Sequence, residues 1–261
     1  MSDAAAARPG NLGLYDLTGK IAVVSGGSSG IGAATARRLA AAGSIVWVGY
    51  NTGLDRARAV AAALPGSGHQ TLYMPMADSA ALTAAAAKVG AAHGKVHVLV
   101  NSAAVTRAVK HDDLDALDDE LFDRVMGTNV RGPFATVRAF RALMKASGDA
   151  VIINISSLAG VTGTGSSIAY GASKAAMDVM GVSLARVLGP EIRVMTVSPA
   201  AVDTAFVPGR TTAMVEKVAA STPLKRVVQA DEVAQAVMAA VVNLTSTTGW
   251  IIPVDGGKLV G

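Results

Sequence analysis

Short apolar runs without alternation recur along the chain. Each is followed by a longer stretch in which apolar positions return every three or four residues. Residues 21–25, Ile-Ala-Val-Val-Ser, form the first run, and its length and composition predict a strand buried on both faces. A glycine-rich turn leads from it into a helical pattern that ends at Gly43. Strands are predicted at 45–49, 70–74, 97–101, 150–156, 193–198 and 251–254. Helices are predicted at 54–63, 79–92, 168–188 and 231–242. A long helical tract at 119–144 contains Asn129, and Gly132-Pro133 must bend or interrupt it. Strands alternating with helices predict an α/β protein with a doubly wound parallel sheet of about seven strands and helices on both faces. Residues 204–221 break the pattern just past the sixth strand, where open α/β sheets bind ligands, and form a candidate substrate lid. No repeat or linker divides the rest, so the expectation is one domain over 17–261 after a loose N-terminal extension, 1–16.

Composition narrows this picture. With 261 residues, 51% of them hydrophobic, the chain can bury a full core. The net charge of +4 is dispersed, with basic residues no denser than pairs such as Arg37-Arg38, so no nucleic-acid partner is expected. There is no cysteine, which excludes disulfides and thiolate catalysis. His69, His93, His97 and His111 form no recognisable metal motif, so no metal is expected. The apolar run near the N-terminus is too short for a signal-peptide core, and no stretch offers 18 uninterrupted apolar residues. A soluble, cytoplasmic protein without membrane association is the default reading.

Two constellations carry chemistry. In the turn after the first strand, Gly26, Gly30 and Gly32 are flanked by Ser25, Ser28, Ser29 and Ile31. A glycine-rich turn between strand and helix lets backbone amides approach a phosphate, and the helix N-terminus adds a favourable dipole. Tyr170 and Lys174 stand four apart, so on a helix they share one face. A free phenol titrates near ~10, and a neighbouring cation favours the phenolate; reaching about 7 takes roughly 4 kcal/mol of differential stabilisation. Such a tyrosine exchanges protons with an alcohol or ketone. Ser157 precedes it on another element, separated by Gly160, Gly163 and Gly165, and its hydroxyl could bond the same substrate oxygen.

Ser25-Gly26-x-x-x-Gly30-Ile31-Gly32, Asn101-Ser102-Ala103-Ala104, Asn129, Ser157 and Tyr170-x-x-x-Lys174 occur in one order on the appropriate elements. Together they closely resemble the short-chain dehydrogenase/reductase family over nearly the whole chain. The resemblance implies a single-domain Rossmann fold and an NAD(P)-dependent oxidoreductase that interconverts a ketone or aldehyde and an alcohol. Tyr170 would then be the general acid and base, and Ser157 would hold the substrate oxygen. Lys174 would depress the tyrosine pKa and bind the nicotinamide ribose, and Asn129 would hold a water linking Lys174 to solvent. Asn101 and Ala103 would belong to the cofactor site, Pro199, Val202 and Thr204 to the segment beside the nicotinamide amide. Asp78 would contact adenine, although a helix N-cap is nearly as good a reading for it. Ser25 replaces the family's usual threonine, while Ala104 and Ala200 replace glycines. The resemblance also implies a homotetramer, in keeping with a helix at 168–188 more apolar than one sheet-facing stripe requires.

A non-catalytic dinucleotide-binding regulator would be expected to have lost part of the Asn129, Ser157, Tyr170 and Lys174 set, which is complete here. A 3-oxoacyl thioester reductase is a further alternative. Gly148-Asp149 and Glu191 stand where reductases that dock acidic carrier proteins tend to be basic, which favours a free small-molecule carbonyl or alcohol substrate. An enoyl reductase would place its lysine farther from the tyrosine. Tyr50-Asn51-Thr52 ends the second strand without the carboxylate that would favour NAD by repelling a 2′-phosphate. NADP is therefore favoured, with NAD use left open.

Overall fold

The computed structural model describes residues 16–260. The N-terminal extension lies almost entirely outside them. Seven strands form one all-parallel sheet in the order β3-β2-β1-β4-β5-β6-β7. The strands are β1 (Ile21–Ser25), β2 (Ile45–Tyr50), β3 (Gln70–Tyr73), β4 (Val98–Asn101), β5 (Ala150–Ile155), β6 (Ile192–Pro199) and β7 (Ile251–Val254). The helices are α1 (Gly30–Ala41), α2 (Leu54–Ala62), α3 (Ser79–His93), α4 (Asp119–Met126), α5 (Gly132–Lys145), α6 (Ala159–Thr162), α7 (Ile168–Leu188), α8 (Thr212–Ala220) and α9 (Ala230–Val242).

Every residue of β1, β4 and β5 is buried, which is why these segments show no alternation in sequence. The period of two survives in what each side chain touches. Ala22, Val24, Val100 and Ile153 pack towards α1 and α9 through Leu39, Val237 and Met238. Ile21, Val23, Leu99 and Ile152 face the other way, against Leu82 of α3, Phe140 of α5 and Leu188 of α7. The sheet therefore has an apolar layer on each side.

Strand order reverses between β1 and β4, and register aligns Ser25 with Asn101 and Asn101 with Asn154 at the carboxyl ends. A crevice at such a reversal is the ligand position of open α/β sheets.

Gly132-Pro133 does not end the helical tract. The chain stays helical through a five-residue π turn, Gly127–Arg131, in which Gly132 N–H bonds the Gly127 carbonyl. The widened turn falls where Pro133 supplies no N–H. Gly132 is tightly packed, since a Cβ there would stand 2.7 Å from Met76 Cβ. The glycines after Ser157 likewise leave room for a short helix, α6, which closes at Gly163 in the left-handed region (φ 65°).

Three histidines have structural partners. His97 Nδ1 accepts the Ile21 N–H at 3.0 Å, His69 Nδ1 accepts the Val46 N–H at 3.1 Å, and His93 meets the Trp47 ring edge-on at 5.8 Å. Burial, with Lys20 and Lys95 nearby, pushes His97 down to about 4, so it is a neutral acceptor. No helix among the described residues is long and apolar enough to cross a membrane.

Candidate active site

The turn between β1 and α1 lies against its neighbours too closely for side chains. A Cβ on Gly26 would come within 2.9 Å of Ala103 Cα and N, one on Gly27 within 2.9 Å of the Val24 carbonyl, and one on Gly32 would run into the Gly26 carbonyl. Gly26 and Gly30 also adopt positive φ, at 64° and 50°. Ser29 is the N-cap of α1 and makes no side-chain bond to it, which leaves the first-turn amides without a side-chain cap beside partly exposed Ser28 and Ile31. The Ser25 hydroxyl donates to the Val100 carbonyl at 3.2 Å and accepts the N–H groups of Ser102 and Ala103 at 3.1 and 3.2 Å. Serine in place of threonine thus still ties the glycine turn to the segment after β4. These features form a cradle that fits a dinucleotide phosphate.

At the end of β2, Tyr50 packs its ring on Tyr73 with centroids 5.7 Å apart, and Asn51 and Thr52 are exposed. Arg56 folds back over this turn, so close that a Cβ on Gly53 would lie 2.7 Å from its Nη2. Asp78 caps α3 through Oδ1, which accepts the N–H groups of Ala80 and Ala81 at 2.9 and 3.0 Å. Asn101 is buried and donates to Asn154 Oδ1 at 3.0 Å. Pro199 ends β6, Val202 bridges to Val228, and Thr204 reaches the glycine turn, within 3.6 Å of where a Gly30 Cβ would be.

Ser157, Tyr170 and Lys174 are brought together where α6 crosses α7. A Cβ on Gly160 would stand 2.6 Å from Ala175 N, so glycine alone allows this crossing. Ser167 caps α7, accepting the Tyr170 N–H at 3.2 Å. Lys174 is buried; its Nζ donates to the Ile155 carbonyl at 2.7 Å and lies 5.6 Å from the centre of the Tyr170 ring. Burial lowers it to about 8, opposed by the charge of Asp178.

Tyr170 departs from the sequence expectation. Burial pushes its phenol up to about 12, against the opposing effects of a hydrogen bond with Ser157 and the charge of Arg210. With Lys174 directed to a carbonyl and lying over the ring, desolvation outweighs the cation.

Asn129 is fully buried in the π turn. Its Oδ1 accepts the Val105 N–H at 2.8 Å, and its Nδ2 donates to the Val105 carbonyl and the Ser173 hydroxyl at 3.0 and 3.1 Å. The side chain therefore ties the loop after β4 to α7. Its main-chain carbonyl is a different matter, because the α-helical donor to it would be residue 133, a proline without an N–H.

Three residues outside the motifs also bear on this site. Asp178 lies one turn beyond Lys174, buried, with Oδ1 unpartnered; burial raises its pKa, while a Ser156 hydrogen bond and the Lys174 charge oppose the rise. Its spacing from Lys174 was a readable signal. Phe206 and Arg210, from the segment after β6, had none. The Phe206 ring lies 5.8 Å from that of Tyr170.

A glycine cradle at the strand-order reversal, beside a serine, tyrosine and lysine in one crevice, defines a nicotinamide-dependent oxidoreductase acting on CH–OH and C=O groups. Comparison with known proteins gives the family. Residues 26–258 match a family model described as "Enoyl-(Acyl carrier protein) reductase". The chain is 37% identical over 242 residues to "Granaticin polyketide synthase putative ketoacyl reductase 2" of Streptomyces violaceoruber, covering 91% of this chain and 95% of that one. It is 32% identical over 245 residues to a 3alpha-hydroxysteroid dehydrogenase of Mediterraneibacter gnavus, covering 92% and 97%. A solved short-chain dehydrogenase from Burkholderia cenocepacia J2315 in complex with NADP superposes with a TM-score of 0.82 at 31% identity, over 94% of this chain and 99% of that one. The chain belongs to the short-chain dehydrogenase/reductase family.

Burial of Lys174 makes a pH prediction. Its folded pKa, about 8, lies below the unfolded value, so the folded state holds this proton more weakly and is penalised below pH 8. The penalty fades as pH rises from 8 towards the unfolded lysine value near ~10.4. Relative to Lys174→Met, the parent should therefore gain roughly 2 kcal/mol of stability between pH 7 and pH 10. Denaturant unfolding at both pH values measures this, and an unchanged difference between the two proteins contradicts it.

Proposed function

We propose that the protein reduces a small ketone or aldehyde, and oxidises the corresponding alcohol, with Tyr170 as the group that gives and takes the proton. A neutral, half-buried Tyr170 phenol beside Ser157 carries this reading, because a phenol held up at about 12 retains its proton at neutral pH and donates it. A nicotinamide, when bound, supplies or accepts the hydride. Ser157 and Tyr170 together direct two hydroxyl groups at one substrate oxygen. Lys174, cationic below about pH 8, supplies the positive charge and N–H donors for a nicotinamide ribose. The Asn129 carbonyl, with no α-helical donor, is the acceptor for a water that would return protons towards Lys174. The cradle contacts extend over Gly26, Ser28, Ser29, Gly30 and Ile31, then Ala103, with Ser25, Gly32 and Asn101 buried behind them and holding the turn in shape. Pro199, Val202 and Thr204 complete the nicotinamide side. The Asp78 carboxylate is shared between capping α3 and adenine.

The named relatives, a ketoacyl reductase and a hydroxysteroid dehydrogenase, both act on this functional group. A 3-oxoacyl thioester substrate is the second reading, favoured by the ketoacyl reductase likeness. The surface favours a free molecule, since Lys145 near a would-be carrier site is paired with Glu191 at 3.7 Å. Tyr170→Phe should leave folding and cofactor binding intact while lowering turnover by roughly 100-fold or more. Parental rates in that variant would rule out Tyr170 as the acid.

We infer NADP as the preferred cofactor. The Tyr50-Asn51-Thr52 turn has no carboxylate, two polar side chains are exposed on it, and Arg56 lies across Gly53. Tyr50→Asp should shift kcat/KM towards NAD by setting a carboxylate against the 2′-phosphate. A parent enzyme that already prefers NAD tenfold would overturn the assignment.

We infer a homotetramer as well. On α7, Val179 and Val187 are 67% and 70% exposed and flank an apolar groove with Val182. Beside the edge strand β7, Trp250 is 66% exposed. Two separate apolar surfaces suit two subunit contacts. Light scattering at micromolar concentration should give a tetramer mass, and a monomer contradicts it.

A further inference from the structure

The segment after β6 reaches the site at two separate points. Thr204 lies over the glycine turn, near Gly30, whereas Phe206 lies against the Tyr170 ring. Arg210 follows on the Tyr170 side. Its Nη2 donates to the Val202 carbonyl at 2.6 Å, its Nε is buried without a partner, and its charge acts on the Tyr170 hydroxyl. Among the described residues no carboxylate forms an ion pair with it. Asp203, adjacent in sequence to Val202, accepts instead from the Thr212 hydroxyl, at 3.4 and 3.3 Å.

A half-buried guanidinium with an unpartnered N–H is costly, and it is relieved when a carboxylate accepts two parallel N–H bonds from it. The division of the segment indicates whose anion this would be. The phosphate cradle is at the Thr204 end, while Phe206, four residues before Arg210, lies against the Tyr170 ring where the reacting oxygen would be held.

We propose that Arg210 is a substrate-anion site: it takes a carboxylate carried by the ketone or alcohol whose oxygen Ser157 and Tyr170 hold, with Phe206 as the apolar wall between them. This deepens, and rests on, the oxidoreductase reading above. The substrate class is then an oxo acid or hydroxy acid. Arginine suits it better than lysine because its planar fork fixes the direction of the carboxylate as well as attracting it.

The test compares acetoacetate, levulinate and 5-oxohexanoate with their methyl esters, using the NADPH-loaded enzyme. The parent should favour at least one acid over its ester in kcat/KM by roughly tenfold or more, the scale of a charge-assisted pair. Arg210→Leu should abolish that preference, raising the KM for the acid by far more than that for the ester, with the KM for NADPH near its parental value, and Arg210→Lys should recover part of it. Equal losses on acid and ester would overturn the proposal, assigning Arg210 to the fold of the segment or to Tyr170 ionisation. A change in the NADPH KM alone would overturn it in favour of a cofactor contact. Should no acid or ester be reduced, the proposed reduction of small ketones is what fails. Thermal stabilisation of the NADPH-loaded protein by levulinate, lost in Arg210→Leu, would then uphold the anion site by itself, and no stabilisation would overturn it.

Discussion

A buried ammonium bonded to a main-chain carbonyl, Lys174 Nζ to Ile155 O, is the interaction on which the rest of the site depends. It fixes α7 against the carboxyl end of β5, and the approach is close enough that glycine is needed wherever backbones meet. Gly160 admits the Lys174–Ala175 backbone, and a Cβ on Gly181 would come within 2.9 Å of the Thr196 hydroxyl. With α7 held there, Tyr170 lies one turn earlier beside Ser157, Ser173 reaches Asn129, and Asp178 lies one turn later beside Ser156. Taking an ammonium out of water is unfavourable, and neither its hydrogen bond nor nearby Asp178 fully compensates, which is why its pKa falls. The protein therefore carries a local instability at the place where a cofactor hydroxyl and a proton path would use that charge.

The same burial sets the state of Tyr170. A cation one helical turn away is the feature visible in sequence, and by itself it argues for a lowered phenol pKa. The folded chain adds what spacing cannot encode: the direction of the lysine, the depth of the hydroxyl, and an arginine from a distant segment. These place the phenol on the neutral side in the ligand-free protein.

Much of the fold was legible because its signals are local. Buried parallel strands such as Ile21–Ser25 read as uniform apolar runs, and α7 reads from its apolar pattern. The glycine turn and the Tyr170, Lys174 pair were visible as spacings. Less legible were features that depend on tertiary approach. Gly132-Pro133 was expected to bend or interrupt its helix, and the α-helix is indeed interrupted there, but the form of the interruption, a π turn with Gly132 packed against Met76, depends on tertiary approach. Gly160 looked like a breaker and proves to be a contact point inside α6. Phe206 and Arg210 lie in a segment without periodicity, where only the fold shows which way a side chain faces.

The ionisation of Tyr170 is the most direct test of this account. Titration of the ligand-free protein labelled with 13C at tyrosine Cζ, assigned by comparison with Tyr170→Phe, reads it by NMR. The account predicts a resonance that stays in the protonated position past pH 10, with a midpoint near about 12. A midpoint near neutrality in the absence of cofactor would contradict it, because it would show Lys174 rather than burial governing the phenol.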